Sequence, residues 1–109
     1  MAEYKLNYKE YKLETGETVK CGIAFILLMK LRTHNKRAYE KLNNVIVNGL
    51  KDVTDAASVL YGAYLCACEA GENGGIENAM SEDDFIIALG DDIAGVAELC
   101  GSLISKKKN

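Results

Sequence analysis

From Asp52 onward, apolar residues recur every three or four positions behind recognisable helix starts, and this pattern leaves little choice but a helical domain. Asp52-Val53-Thr54-Asp55 places an N-cap carboxylate three residues ahead of a second one, an approximate capping box. Behind it, Ala56, Val59, Leu60, Ala63, Tyr64, Ala67 and Cys68 fall on one side of a 3.6-residue helix. Ser81-Glu82-Asp83-Asp84 repeats the signal. Ser81 caps, and three acids in the first turn suit the positive end of the helix dipole. Phe85, Ile86 and Leu89 form its apolar side, Gly90 ends it, and Asp91-Asp92 opens a last helix with a stripe of Ile93, Val96, Ala97, Cys100, Leu103 and Ile104. Between the two starts, Gly71-Glu72-Asn73-Gly74-Gly75 predicts a helix end and a loop. It lacks the spacing and the Lys of a phosphate loop.

Upstream, Ala38–Leu50 carries a second stripe of Tyr39, Leu42, Val45, Ile46 and Leu50, after a polar bend over residues 33–37. The stretch from Val19 to Leu31 is too densely apolar for a surface helix. It is expected to be the central buried helix, with a buried strand over part of it as the alternative. Before it, Tyr4-Lys5-Leu6 and Tyr11-Lys12-Leu13 alternate with the two-residue period of a strand. Their parity switch predicts a turn near Asn7-Tyr8 and a hairpin with Tyr4 opposite Tyr11. Thr15-Gly16-Glu17-Thr18 reads as a connection. The expected fold is mainly α (α+β): a short N-terminal β-hairpin over residues 1–14, then four to five packed helices over residues 19–105, and a basic tail at 106–109. A chain of 109 residues suits one such domain.

Charge is distributed unevenly along this chain. Residues 1–51 hold ten Lys/Arg and five Asp/Glu; residues 52–105 hold eleven Asp/Glu and no Lys or Arg. Either the halves neutralise each other inside the fold, or they form opposite faces that steer partners or favour head-to-tail self-association. The basic residues Lys30, Arg32, Lys36, Arg37 and Lys41 are few and offset by acids, and a pI near 5.1 argues against a nucleic-acid interface.

Signs of catalysis and of metal binding are weak. His34 is the only histidine and has no evident partner in the sequence, and no Ser lies in a nucleophile elbow. Cys21, Cys66, Cys68 and Cys100 fall in segments that read as helix, where Cys behaves as a small apolar residue. Cys66-Ala67-Cys68 points its thiols apart, and zinc sites use wider spacings. The polar N-terminus does not read as an export signal. The longest apolar run, Ile23–Met29, is far short of the ~20 residues a bilayer-spanning helix needs. These features predict a cytoplasmic, non-catalytic protein without cofactor or metal that works by binding other proteins.

The order of elements is distinctive. A Tyr4-Lys5-Leu6-Asn7 … Glu10-Tyr11-Lys12-Leu13 hairpin precedes an apolar helix. Asp52-Val53 and an Ala-rich helix with Leu60-Tyr61-Gly62-Ala63-Tyr64 follow. A glycine loop leads to Met80-Ser81-Glu82-Asp83-Asp84-Phe85, and the chain closes with Asp91-Asp92-Ile93 … Ala97-Glu98-Leu99 and a basic tail. Over nearly its whole length this resembles the small tail assembly chaperones of long-tailed phages and prophages of Gram-positive bacteria. The resemblance implies binding to the tape measure protein, a long helical chain with exposed apolar stripes, and help in recruiting tail tube protein around it in the host cytoplasm. Helix-in-groove capture is the natural mode. The acidic half would meet basic client segments, which makes Glu82, Asp83, Asp84, Phe85, Asp91 and Asp92 the candidate partner-binding residues. Two other readings are a small acidic inhibitor or regulatory protein that blocks a basic site, and a structural homo-oligomer.

Overall fold

In a computed structural model that describes residues 8–104, a two-stranded antiparallel hairpin, β1 (Lys9–Lys12) and β2 (Thr18–Cys21), is followed by five α-helices. These are α1 (Phe25–His34), α2 (Lys36–Asn48), α3 (Val53–Glu69), α4 (Glu82–Leu89) and α5 (Ile93–Ile104), with two single 3-10 turns, Glu72–Gly74 and Ile76–Asn78, between α3 and α4. The expected mainly helical fold with an N-terminal hairpin is therefore present.

The hairpin sits further along the chain than the alternation suggests. Tyr11 faces Val19 and Lys9 faces Cys21; the expected pairing of Tyr4 with Tyr11 falls on residues 1–7, which lie outside the described residues. The presumed connection at Thr15–Thr18 contributes the turn. Leu13 N donates to Glu17 O at 2.8 Å and Gly16 N to Leu13 O at 2.9 Å. Gly16 has φ +95°, a conformation that a side chain would resist. The physical reason for the shift is shared parity: Tyr11, Leu13, Val19 and Cys21 are all odd-numbered. Leu13, Val19 and Cys21 form the buried face, with Tyr11 half-buried beside them. Val19–Cys21 is thus strand, the alternative kept open for part of Val19–Leu31, and the helical part of that stretch starts at Phe25.

The centre of the molecule is α3, not α1. Residues Tyr61 to Cys68 are buried without interruption, which a helix achieves only when neighbours cover every side. Small residues make this possible. A Cβ on Gly62 would lie 2.8 Å from Leu42 Cδ2 and 2.9 Å from Leu42 Cβ, so α2 crosses α3 nearly backbone to side chain. By contrast α1 buries Leu27 and Leu31 but leaves Phe25, Ile26 and Met29 outward, Phe25 at 87% exposure.

The capping signals hold in detail. Thr54 N donates to Asp52 Oδ1 at 2.8 Å and Asp52 N to Asp55 Oδ2 at 3.2 Å, the reciprocal pair of a capping box. Asp84 N donates to Ser81 Oγ at 3.2 Å. Phe85 then packs against Tyr61 and Tyr64, with ring centroids 5.4 and 4.7 Å away, and the two tyrosines lie 6.1 Å from each other, a three-ring cluster inside the range of favourable aromatic packing. The two tyrosines also grip the preceding loop. Tyr61 Oη donates to Met80 O at 2.8 Å, and Tyr64 Oη accepts from Met80 N at 2.9 Å. Asn73, at φ +57°, lays its amide along β2. Its Oδ1 accepts from Lys20 N at 2.8 Å, and its Nδ2 donates to Lys20 O at 2.9 Å.

Among the described residues the two halves of the chain meet through side-chain pairs. Lys20 pairs with Glu72 at 3.3 Å, His34 Nδ1 with Glu69 at 2.7 Å, and Lys41 with Glu82 at 2.8 Å. Neutralisation within the fold is real but incomplete, because Asp83, Asp84 and Asp91 remain exposed.

Burial sets a limit on alkaline stability. It pushes the Cys21 and Cys66 thiols from about 9 up to about 12. It is also the main cause that raises Tyr11, Tyr61 and Tyr64 from about 10 to about 12. A pKa raised by folding means that the folded state favours the protonated form. The resulting stability is whole below the unfolded pKa values and is lost as pH climbs through the folded ones. A cooperative loss of helical circular dichroism is expected between about pH 10 and 12, coincident with a step in tyrosinate absorbance. Smooth titration of every tyrosine near its ordinary value, with the helical signal intact, would contradict this packing.

Candidate functional site

Three consecutive apolar residues open the body of α4, and an eight-residue helix cannot turn all of them inward. Phe85 takes the core position, and Ala88 and Leu89 follow it three and four residues later. Ile86 and Ile87 are therefore directed away from the core, Ile87 at 74% exposure. Gly90 then ends α4, and only Asp91 and Asp92 separate it from α5. The sharp bend sets the start of α5 against the end of α4, with the first turns of α3 as the third side.

The result is an open apolar groove of about 230 Å³. Val53 and Ala57 line it from α3, Ile86 and Leu89 from α4, and Ile93 and Val96 from α5. Each pair is three or four residues apart, so each helix presents one face. Leu89 and Val96 form the buried floor, while Val53, Ile86 and Ile93 stand at the edges in contact with water. Asp92 closes one end. Its Oδ1 accepts from Gly95 N at 3.0 Å, which caps α5, and its Oδ2 accepts from Tyr11 Oη at 2.9 Å. That bond ties the hairpin to the groove and adds to the rise of the Tyr11 pKa, which burial begins. On the outer side of α4, Ile86 and Ile87 border a second, more polar depression with Arg37, Lys41, Glu82 and Asp83.

The six candidate residues divide accordingly. Asp92 belongs to the groove. Glu82 is half-buried and held by Lys41. Asp83, Asp84 and Asp91 are exposed around α4 and the α4–α5 turn. Phe85 does not fit a partner contact: it is wholly buried against Tyr61 and Tyr64, and its place is structural. Ile93, assigned to the buried stripe of α5, instead stands 59% exposed at the groove edge. The aliphatic lining from Val53, Ala57, Ile86 and Ile93 was missed as a site. The available signal was the apolar run Phe85-Ile86-Ile87, more than one core face can absorb.

Chemically the groove offers contact and charge. Its lining carries one carboxylate, Asp92, and one hydroxyl, Thr54, among aliphatic side chains. The four cysteines are buried free thiols, and burial raises the pKa of each of them, which suppresses the reactive thiolate. Among the described residues no group of three or more His, Cys, Asp or Glu is placed to hold a metal ion. No helix among them is long and apolar enough to cross a membrane. No family model, no curated protein and no solved structure matches the chain.

Proposed function

We propose that the protein is a non-catalytic binding protein that shelters the apolar face of a helical client in the α3–α4–α5 groove, acting as a tail assembly chaperone for a tape measure protein. The observation that carries the reading is the groove itself. Aliphatic residues at helical spacing on three walls, with carboxylates at one end and nearby, suit an amphipathic helix with basic flanks. The overall element order, which resembles that of tail assembly chaperones, supplies the identity of the client. Recruitment of tail tube protein follows from the same resemblance.

The test is co-expression with a tape measure segment. The client is expected to stay in the soluble fraction and to co-purify with the wild-type chain. Ile86→Asp and Ile93→Asp each place a charge against the apolar face of the client and are expected to weaken the complex about tenfold or more, equivalent to about 1.4 kcal/mol per decade. Both side chains reach water in the free protein, so circular dichroism should be unchanged. If neither solubility nor co-purification depends on the chain, the chaperone reading fails. A complex formed instead with a basic nucleic-acid-binding protein, and dissolved by salt, would favour the inhibitor reading.

A further inference from the structure

The most exposed aromatic ring among the described large apolar residues is not near the groove lining. Phe25 opens α1 at 87% exposure, with Ile26 at 45% and Met29 at 58% beside it. Phe25 and Met29 are four residues apart and share one face. Leaving such a stripe in water is costly, since burial of each apolar side chain is favourable in proportion to the area removed from water. The helix that carries it has no acidic residue and holds Lys30, Arg32 and His34, of which His34 is paired with Glu69 and Arg32 lies over the Tyr39 ring at 5.9 Å; Lys36, paired with Glu40, and Arg37 follow at once on α2. The groove has the opposite character. Its lining includes no cation, and α4, the turn and α5 together hold Glu82, Asp83, Asp84, Asp91, Asp92 and Glu98 without a single Lys or Arg up to Ile104.

We propose that the Phe25–Ile26–Met29 stripe of one copy seats in the α3–α4–α5 groove of a second copy, so that free chains associate head to tail. The apolar stripe fills the apolar trough, and Arg32, one turn beyond Met29, meets the carboxylates around the α4–α5 turn. Stripe and groove share no residue, so the contact is heterologous. Each open assembly keeps one free stripe at one end and one free groove at the other, and growth continues until a ring closes. The inference shares its groove with the client reading above, and the two occupants then compete: a client helix displaces the neighbouring copy.

Sedimentation of the full chain over a concentration series, at about 0.05 M and about 0.5 M salt, reads the association on either side of a ~10 Å screening length. Wild-type mass is expected to rise with concentration, with affinity at least about threefold weaker at the higher salt. Phe25→Asp and Ile93→Asp are each expected to be monomeric. An equimolar mixture of the two is expected to form dimers, because one variant retains an intact groove and the other an intact stripe. Unchanged helical circular dichroism verifies the folds, and Ile86→Asp replaces Ile93→Asp if the latter unfolds. Three results would overturn the proposal: a wild-type monomer throughout, a mixture that stays monomeric, or association abolished by Phe25→Asp but untouched by Ile93→Asp, which would place stripe against stripe. Client capture separates this proposal from the preceding one. Phe25→Asp should still solubilise the client. A monomeric wild-type chain that captures the client removes only self-association. A self-associating chain that does not capture it removes only the client reading.

Discussion

Phe85→Ala is expected to destabilise the protein by about 3–5 kcal/mol, the usual range for deleting a fully buried aromatic ring. Domains of this size have about 5–15 kcal/mol in total, so a large share of the stability rests on one side chain. The loss has two parts. The first is the hydrophobic transfer of the ring. The second is the void left beside Tyr61 and Tyr64, whose own hydroxyls are committed to Met80 O and N, so that filling it would strain those bonds. Urea unfolding measures it: the midpoint should fall while the slope stays constant. Ile87→Ala, two residues away and exposed, should stay within about 0.5 kcal/mol of the wild type. A near-neutral Phe85→Ala that nevertheless abolished partner binding would return Phe85 to the interaction surface.

Gly62→Val is expected to cost about 2–3 kcal/mol, from overpacking and not from a cavity. Helix propensity alone points the other way, since glycine is the poorer helix former. The contact decides the sign. The added Cβ would lie 2.9 Å from Leu42 Cβ, an atom fixed to the backbone of α2, so rotation of the leucine cannot relieve it. A β-branched side chain has little χ1 freedom of its own. The two helices must separate, which loosens the contact on which the α2 stripe of Leu42 and Val45 depends. Adding Leu42→Ala should recover part of the loss in a double-mutant cycle. Equal stability of Gly62→Val and wild type in thermal melts would mean that α2 and α3 are not in such close contact.

Most of the helical part was legible because its signals are local. The Asp52/Asp55 and Ser81 caps depend on residues within a turn of each other and appear as read, and the Ala56–Cys68 positions are buried, as part of a helix buried on all sides and not as one stripe. The misread features are those decided over distance. The pairing of Tyr11 with Val19 rests on a buried face shared with Leu13 and Cys21, across a turn that the alternation near Asn7-Tyr8 did not point to. The density of apolar residues in Ile23–Leu31 suggested the centre, but an all-round buried helix needs small residues for close approach. Gly62, Ala63 and Ala67 provide that in α3. The groove was the least legible part. No spacing rule links Val53, Ile86 and Ile93, which come from three helices and meet only because Gly90 and two aspartates make a tight corner.

The amide of Asn73 has a quieter consequence. By occupying both the N–H and the C=O of Lys20, one side chain performs the hydrogen bonding of an absent third strand and seals that border of the sheet. Open borders are where extended chains stack into aggregates. Among the described residues the other border is β1, four residues long with a lysine at each end, a poor template for further strands.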